Sequence, residues 1–271
     1  MPFALVGFFL AYVEKGGSLD IQKLIAIVLC MIFARSAAMA FNRYLDRDID
    51  AKNPRTAVRE IPAGVINPNA ALGFVIANCL LFIATTWFIN PICFYLSPVA
   101  LGIVLGYSFT KRFTALCHFV LGLGLSLAPI GAYLAVTGVF ALTPLLYSAV
   151  VLLWVSGFDI IYALQDDAFD KSLNLNSIPV KLGRVGALKL SNGLHFLCAL
   201  VLVFAVLRVN TEGGHHALIH SVGALIFLML LAYQHTLVKV NDLSKVNLAF
   251  FTTNGIASVI YGSFFILDYF I

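Results

Sequence analysis

Apolar residues run along this chain in long blocks separated by short polar or Gly/Pro punctuation. The blocks fall at about 1–13, 22–41, 68–89, 91–110, 114–136, 143–162, 187–208, 217–238 and 248–270. All but the first reach ~20 residues, the length that crosses a hydrocarbon core at about 1.5 Å per residue. Lipid offers no hydrogen-bonding partners, so the backbone groups of each block must be satisfied within it, and each block is read as a helix. The pattern predicts an all-α, polytopic integral membrane bundle of about nine transmembrane helices. The first block, Met1 to Val13, is short for a span and stops before Glu14 and Lys15; it reads as a first helix either truncated in this chain or starting in the interface. No charged lead-in or small-residue cleavage site marks a signal peptide.

Composition agrees with the pattern. Of 271 residues 61% are hydrophobic and 11% charged, against roughly 25% charged in soluble domains, which excludes a water-soluble fold and leaves little for any domain outside the bilayer. The few basic residues, set among apolar blocks, exclude a nucleic-acid surface. Cys30, Cys79, Cys93, Cys117 and Cys198 lie singly inside apolar blocks and read as small buried hydrophobes.

The placement of the charges says more than their number. The 2–3 connection carries Arg43, Arg47, Lys52, Arg55 and Arg59, the 4–5 connection Lys111 and Arg112, the 6–7 connection Lys171, Lys181, Arg184 and Lys189, and the 8–9 connection Lys239 and Lys245. The opposite side has Lys15, Lys23 and Arg208, with Arg35 inside the second helix. The positive-inside rule then puts the N-terminus and the two longest polar connections on the cytoplasmic face. The expected location is a bacterial inner membrane, with any active site facing the cytoplasm.

Those two connections also hold most of the carboxylates. Asn42, Asp46 and Asp50 are spaced by four and stack on one helical face, drifting ~40° per step. Asp159, Asp166 and Asp170 are separated by near-whole turns and share a second stripe, from which Asp167 points away. Like charges four apart repel, so either these are solvated helix ends or something cationic offsets them. Carboxylate and amide oxygens suit Mg²⁺, which favours a few carboxylates plus phosphate oxygens. Two such faces opposed at one mouth suit two or more Mg²⁺ ions with a diphosphate between them, and Arg55, Arg59, Lys111, Arg112 and Lys181 on the same side suit phosphate oxygens. Arg35, about two turns deeper than Asn42 and nearly on its face, reads either as the grip on an anionic acceptor or as a partner for a bundle carboxylate. Tyr107 reads as pocket lining or as an interfacial tyrosine.

Other chemistry is weaker. His215, His216 and His220 have metal-like spacing on the far side from the carboxylates and read mainly as a polar loop and helix start; His118 and His195 read as packed or interfacial. Gly122 and Gly124, with no preceding strand, suggest close helix packing and not a nucleotide loop.

The run Asn42-x-x-x-Asp46-x-x-x-Asp50 with Pro54-Arg55-Thr56 and Arg59, then Asp159-x-x-Tyr162-Ala163-x-x-Asp166-x-x-x-Asp170, resembles the UbiA superfamily of intramembrane aromatic prenyltransferases. The segment Tyr107 to Thr114 looks most like the 4-hydroxybenzoate polyprenyltransferase branch. The resemblance covers nearly the whole chain, residues 1–271 as a single domain, and implies nine helices around a central cavity capped by the 2–3 and 6–7 connections. It implies Asn42, Asp46, Asp50, Asp166 and Asp170 as ligands of Mg²⁺ and diphosphate, with Arg55, Arg59, Lys111, Arg112 and Lys181 steadying the phosphates and Asp159 or Tyr162 orienting the reacting centre. The reaction implied is transfer of a polyprenyl group from polyprenyl diphosphate to a small aromatic acceptor, 4-hydroxybenzoate, within the lipid bilayer. The alternatives are prenylation of a dihydroxynaphthoate, a haem-type farnesyltransferase and a cation-coupled transporter. The transporter predicts charges near mid-span; a CDP-alcohol phosphotransferase lacks its Asp-Gly-x-x-Ala-Arg segment here.

Overall fold

The computed structural model describes residues 2–17, 19–212 and 218–270, with helices α1 (Pro2–Glu14), α2 (Ile21–Asp50), α3 (Pro68–Ile89), α4 (Pro91–Thr110), α5 (Cys117–Thr137) and α6 (Leu142–Ala163). A single 3₁₀ turn, Leu164–Asp166, leads into the short α7 (Asp167–Ser172), followed by α8 (Ile178–Glu212) and α9 (Leu218–Leu237). A π-helical turn, Leu248–Thr253, runs into α10 (Asn254–Leu267). Eight of these stretches are long and apolar enough to span a membrane, and α1 is a shorter apolar helix.

Local chemistry sets the boundaries. Asp20 caps α2 through the Lys23 amide at 3.0 Å. Asn67 and Asn90 cap α3 and α4, each just before a proline at the first helical position, where the missing N–H costs nothing. Gly138 ends α5 at φ 73°, a left-handed cap that glycine adopts without strain. In α8, Gly183 at φ 69° and ψ 172° breaks the helix, so residues before it belong to the connection with α7 and not to the span.

Helices α1, α5, α6, α8, α9 and α10 pack in a closed ring, each on the next. Helices α2, α3 and α4 form a flank that rejoins the ring chiefly through α4 on α5. Water exclusion adds little between helices in lipid, so close packing carries the cohesion. A Cβ on Gly122 would stand 2.7 Å from the Leu152 carbonyl, and one on Gly7 would overlap the Pro129 carbonyl. The expectation that Gly122 serves helix contact holds; Gly124 has only ordinary contacts with Val104.

The short α1 is packed into the bundle, with Phe3, Val6 and Phe8 buried. The Phe3 ring meets Trp154, Phe227 and Tyr261 at centroid distances of 5.5, 6.1 and 5.6 Å, tilted and edge contacts that add to dispersion. The 2–3, 4–5, 6–7 and 8–9 connections meet at one end of the bundle: Arg55 reaches Asp166, the Asn176 amide donates to the Lys111 carbonyl at 2.7 Å, and Arg184 reaches the Val240 carbonyl at 3.5 Å.

Candidate active site

At that end, where the flank meets the ring, lies a cavity of about 270 Å³. Helix α2 contributes Asn42, Asp46 and Asp50; the following connection gives Asn53, Arg55, Thr56 and Arg59; α4 and its end give Tyr107 and Lys111. Across the cavity stand Asp159 and Tyr162 of α6, then Asp166 and Asp170.

The first acidic ladder forms because α2 continues as helix through Asp50, beyond the apolar block that ends at Phe41. Asn42 Nδ2 donates to Asp46 at 3.1 Å. The second group does not lie on one continuous helix. The 3₁₀ turn separates Asp159 from Asp170, yet all three carboxylates still line the same cavity. Asp167 faces outward, where Arg184 Nε and Nη2 donate to it at 2.6 and 3.0 Å.

An arginine clasps one acid after another. Arg112 donates to Asp46 at 2.9 Å and also to the Leu45 carbonyl at 2.9 Å. Arg59 Nη1 stands 2.7 Å from both Asp50 oxygens. Arg55 holds Asp166 through Nε at 3.0 Å and through Nη2, and its Nη1 donates to the Tyr162 hydroxyl at 3.1 Å. Burial works against the Arg55 charge, but the Asp166 hydrogen bonds and charge outweigh it and lift its pKa above the ordinary guanidinium value. Tyr162 stacks on Phe250 of the π turn at 4.0 Å between centroids.

Three expected residues stand outside the cavity lining: Arg112, which reaches Asp46 from beyond it, Lys181 and Arg35. Lys181 is exposed at the start of α8. Arg35 is exposed on α2 and forms no ion pair with a carboxylate among the described residues. Several residues were missed. Asn53 donates to Asp166 at 3.1 Å, and Thr56 to the Asp50 carbonyl at 3.1 Å. Phe250 forms part of the wall, as does Cys117, read from sequence as a buried hydrophobe. His118, read as packed or interfacial, also lines the cavity and lies 2.7 Å from Asp159. No spacing rule links His118 with Asp159 or Asn53 with Asp166, 41 and 113 residues apart.

His195, His220 and His235, the other described histidines, lie away from this cavity. His220 shares a buried network with Tyr261 and Tyr147 at 2.7 and 3.1 Å, and His195 pairs with His235. His215 and His216 lie outside the described residues. Among the described residues no three His, Cys, Asp or Glu side chains converge closely enough to close a metal shell alone. The cavity's oxygen donors fit Mg²⁺ of the kind that completes its shell with phosphate oxygens, because the carboxylates are spread over two facing walls.

Long apolar helices with a carboxylate-lined cavity at one end of the bundle define an integral membrane protein of the polytopic bundle class. The chain belongs to the UbiA prenyltransferase family, whose sequence model matches residues 1–256, and it is thus a membrane prenyltransferase. It is 30% identical over 257 residues to the 4-hydroxybenzoate octaprenyltransferase of Aliivibrio fischeri (strain MJ11), covering 92% of this chain and 85% of that one. The apo structure of a UbiA homolog from Aeropyrum pernix K1 superposes with a TM-score of 0.86 at 31% identity, covering 98% of this chain and 95% of that one. A UbiA homolog from Archaeoglobus fulgidus, bound to DMAPP and Mg²⁺, shares the fold at a TM-score of 0.68 and 21% identity, with 98% and 96% covered.

Proposed function

We propose that this enzyme transfers a polyprenyl group from polyprenyl diphosphate to 4-hydroxybenzoate in quinone biosynthesis, with Mg²⁺ as cofactor and the whole chain acting as one catalytic domain. The observation that carries the reading is the facing of two carboxylate walls, three of whose acids are already matched with arginines, above an apolar bundle. The curated relatives named for octaprenyl transfer to 4-hydroxybenzoate support the donor and acceptor, and the Archaeoglobus homolog with DMAPP and Mg²⁺ supports the cofactor. The charge bias of the connections supports a cytoplasmic mouth in a bacterial inner membrane.

Asn42, Asp46, Asp50, Asp166 and Asp170 would hold Mg²⁺. When bound, it supplies Lewis-acid neutralisation of the leaving diphosphate. Arg55, Arg59 and Arg112 exchange carboxylate partners for phosphate oxygens, and with Lys111 of the cavity lining they take up the charge released as the allylic carbon–oxygen bond ionises. Tyr162, Tyr107 and Phe250 wall the reacting carbon from water. The acceptor ring attacks through the carbon ortho to its hydroxyl. Arg35 and Lys181, both exposed and outside the cavity lining, take no part in this reading.

The test incubates the purified chain with Mg²⁺, labelled geranyl diphosphate and a panel holding 4-hydroxybenzoate and 1,4-dihydroxy-2-naphthoate. Prenylated 4-hydroxybenzoate is expected, abolished by EDTA and reduced about a hundredfold or more by Asp46→Ala or Asp166→Ala. Product from the naphthoate alone moves the enzyme to menaquinone synthesis. No product from any acceptor, or product indifferent to EDTA and to both substitutions, defeats the proposal.

A further inference from the structure

One buried contact at the cavity floor is not used by the diphosphate grip. His118, on the first turn of α5, is 3% exposed, and its Nδ1 stands 2.7 Å from Asp159 Oδ2. Its other nitrogen, Nε2, accepts the Ile178 backbone N–H at 3.3 Å, where the connection from α7 enters α8. An imidazole nitrogen that accepts cannot carry the proton, so the ring proton sits on Nδ1 and is donated to Asp159. The tautomer is thus set by a backbone amide of a different element. The same connection is tied down twice more: the Asn176 amide donates to the Lys111 carbonyl at 2.7 Å, and the Leu175 amide to the Asp170 carbonyl at 2.9 Å.

Asp159 lies two helical turns before Asp166, and its side chain, 20% exposed, lines the cavity. Among the described residues no arginine or lysine pairs with it. Aromatic substitution needs a base: once the new carbon–carbon bond has formed, the ring carbon still holds its hydrogen. Rearomatisation returns the C–H electron pair to the ring and hands the proton to an acceptor.

We infer that His118 is a positioning residue that fixes Asp159 as the acceptor of the proton lost from the aromatic ring. This rests on the prenyl-transfer reading above. In balance, the carboxylate oxygen gains the ring proton, the carbon–hydrogen electron pair becomes part of the aromatic sextet, and diphosphate has already left with the electrons of the allylic bond. His118 Nδ1–H holds one carboxylate oxygen and turns the other toward the ring. Because Nε2 is held by Ile178, the base is in place only when the α7–α8 connection is docked.

The test uses the full chain in detergent with Mg²⁺, geranyl diphosphate and 4-hydroxybenzoate carrying hydrogen or deuterium at the ring positions ortho to the hydroxyl. His118→Ala is expected to lower transfer about tenfold to a hundredfold through misplacement of the base, with the KM for geranyl diphosphate unchanged. A deuterium isotope effect absent in the wild type should appear as proton loss becomes limiting, and diphosphate should be released without matching prenylated product. His118→Asn, whose amide N–H takes the place of Nδ1–H, should recover most of the rate and suppress the isotope effect. A purely structural role would lower kcat in both variants without an isotope effect, and that result overturns the inference, as does His118→Ala working at the wild-type rate. If the alanine variant does not fold, the asparagine variant decides: an isotope effect as small as the wild type's with transfer retained supports the role, and lost transfer without an isotope effect refutes it. No transfer by the wild type itself would instead defeat the underlying reading.

Discussion

Replacing Arg59 with alanine isolates the worth of one clasp. Its guanidinium nitrogen stands 2.7 Å from both oxygens of Asp50, whose side chain is 7% exposed. Attraction between unit charges at that distance is about 6 kcal/mol gross at an effective dielectric of ~20. Desolvation of both ions offsets part of it, and Arg59 remains 23% exposed, so about 3 kcal/mol is expected as the cost of stranding a buried carboxylate. At about 2 °C per kcal/mol for a chain of this length, the apparent midpoint should fall by ~6 °C in metal-free detergent. A thermal melt followed by the fluorescence of Trp87 and Trp154 measures it. Adding Asp50→Asn removes the stranded charge, so the double variant should melt above Arg59→Ala alone. An Arg59→Ala protein melting with the wild type, or a double variant melting lower still, would show that the clasp does not carry the electrostatics assigned to it.

Three further outcomes test the site and the packing. Lys111→Ala should raise the KM for geranyl diphosphate about tenfold, the loss of about 1.4 kcal/mol of phosphate contact, in steady-state assays of labelled donor. Adjacent carboxylates should behave differently in titrations of Mg²⁺ with geranyl diphosphate present: Asp166→Asn weakens binding about tenfold, whereas Asp167→Asn, whose carboxylate faces Arg184 outside the cavity, leaves it unchanged. Gly122→Ala should cost about 2 kcal/mol by overpacking against the Leu152 carbonyl, read as a lower melting midpoint, while Gly131→Ala, with nothing within 4 Å of the added carbon, should not move it.

Spans and the first acidic ladder were legible because both depend on period along one chain. The blocks at 68–89 and 91–110 match α3 and α4 residue for residue, since Asn-Pro caps mark their starts. The second acidic group was legible by position but not by geometry. A stripe at near-whole turns assumes unbroken helix, and the 3₁₀ turn at Leu164–Asp166 re-aims the chain beyond it. Lys181 was drawn toward the phosphates because it is basic and on the right side; the break at Gly183 places it on the outer connection. His118 and Asn53 were missed because each acquires its meaning from a partner brought up by tertiary folding, and a lone histidine in an apolar block carries no such label.

The seam between flank and ring has a mechanical consequence. The ladder on α2 belongs to a body that packs mainly on α3 and α4, while Asp159, Asp166 and Asp170 extend from α6, which is packed on both α5 and α8. Across the mouth, Arg55 and Asn53 from the connection after α2 tie down Asp166 of the opposite wall, while Arg112, just past α4, holds Asp46 within the flank. A phosphate that recruits these arginines cuts the ties it replaces.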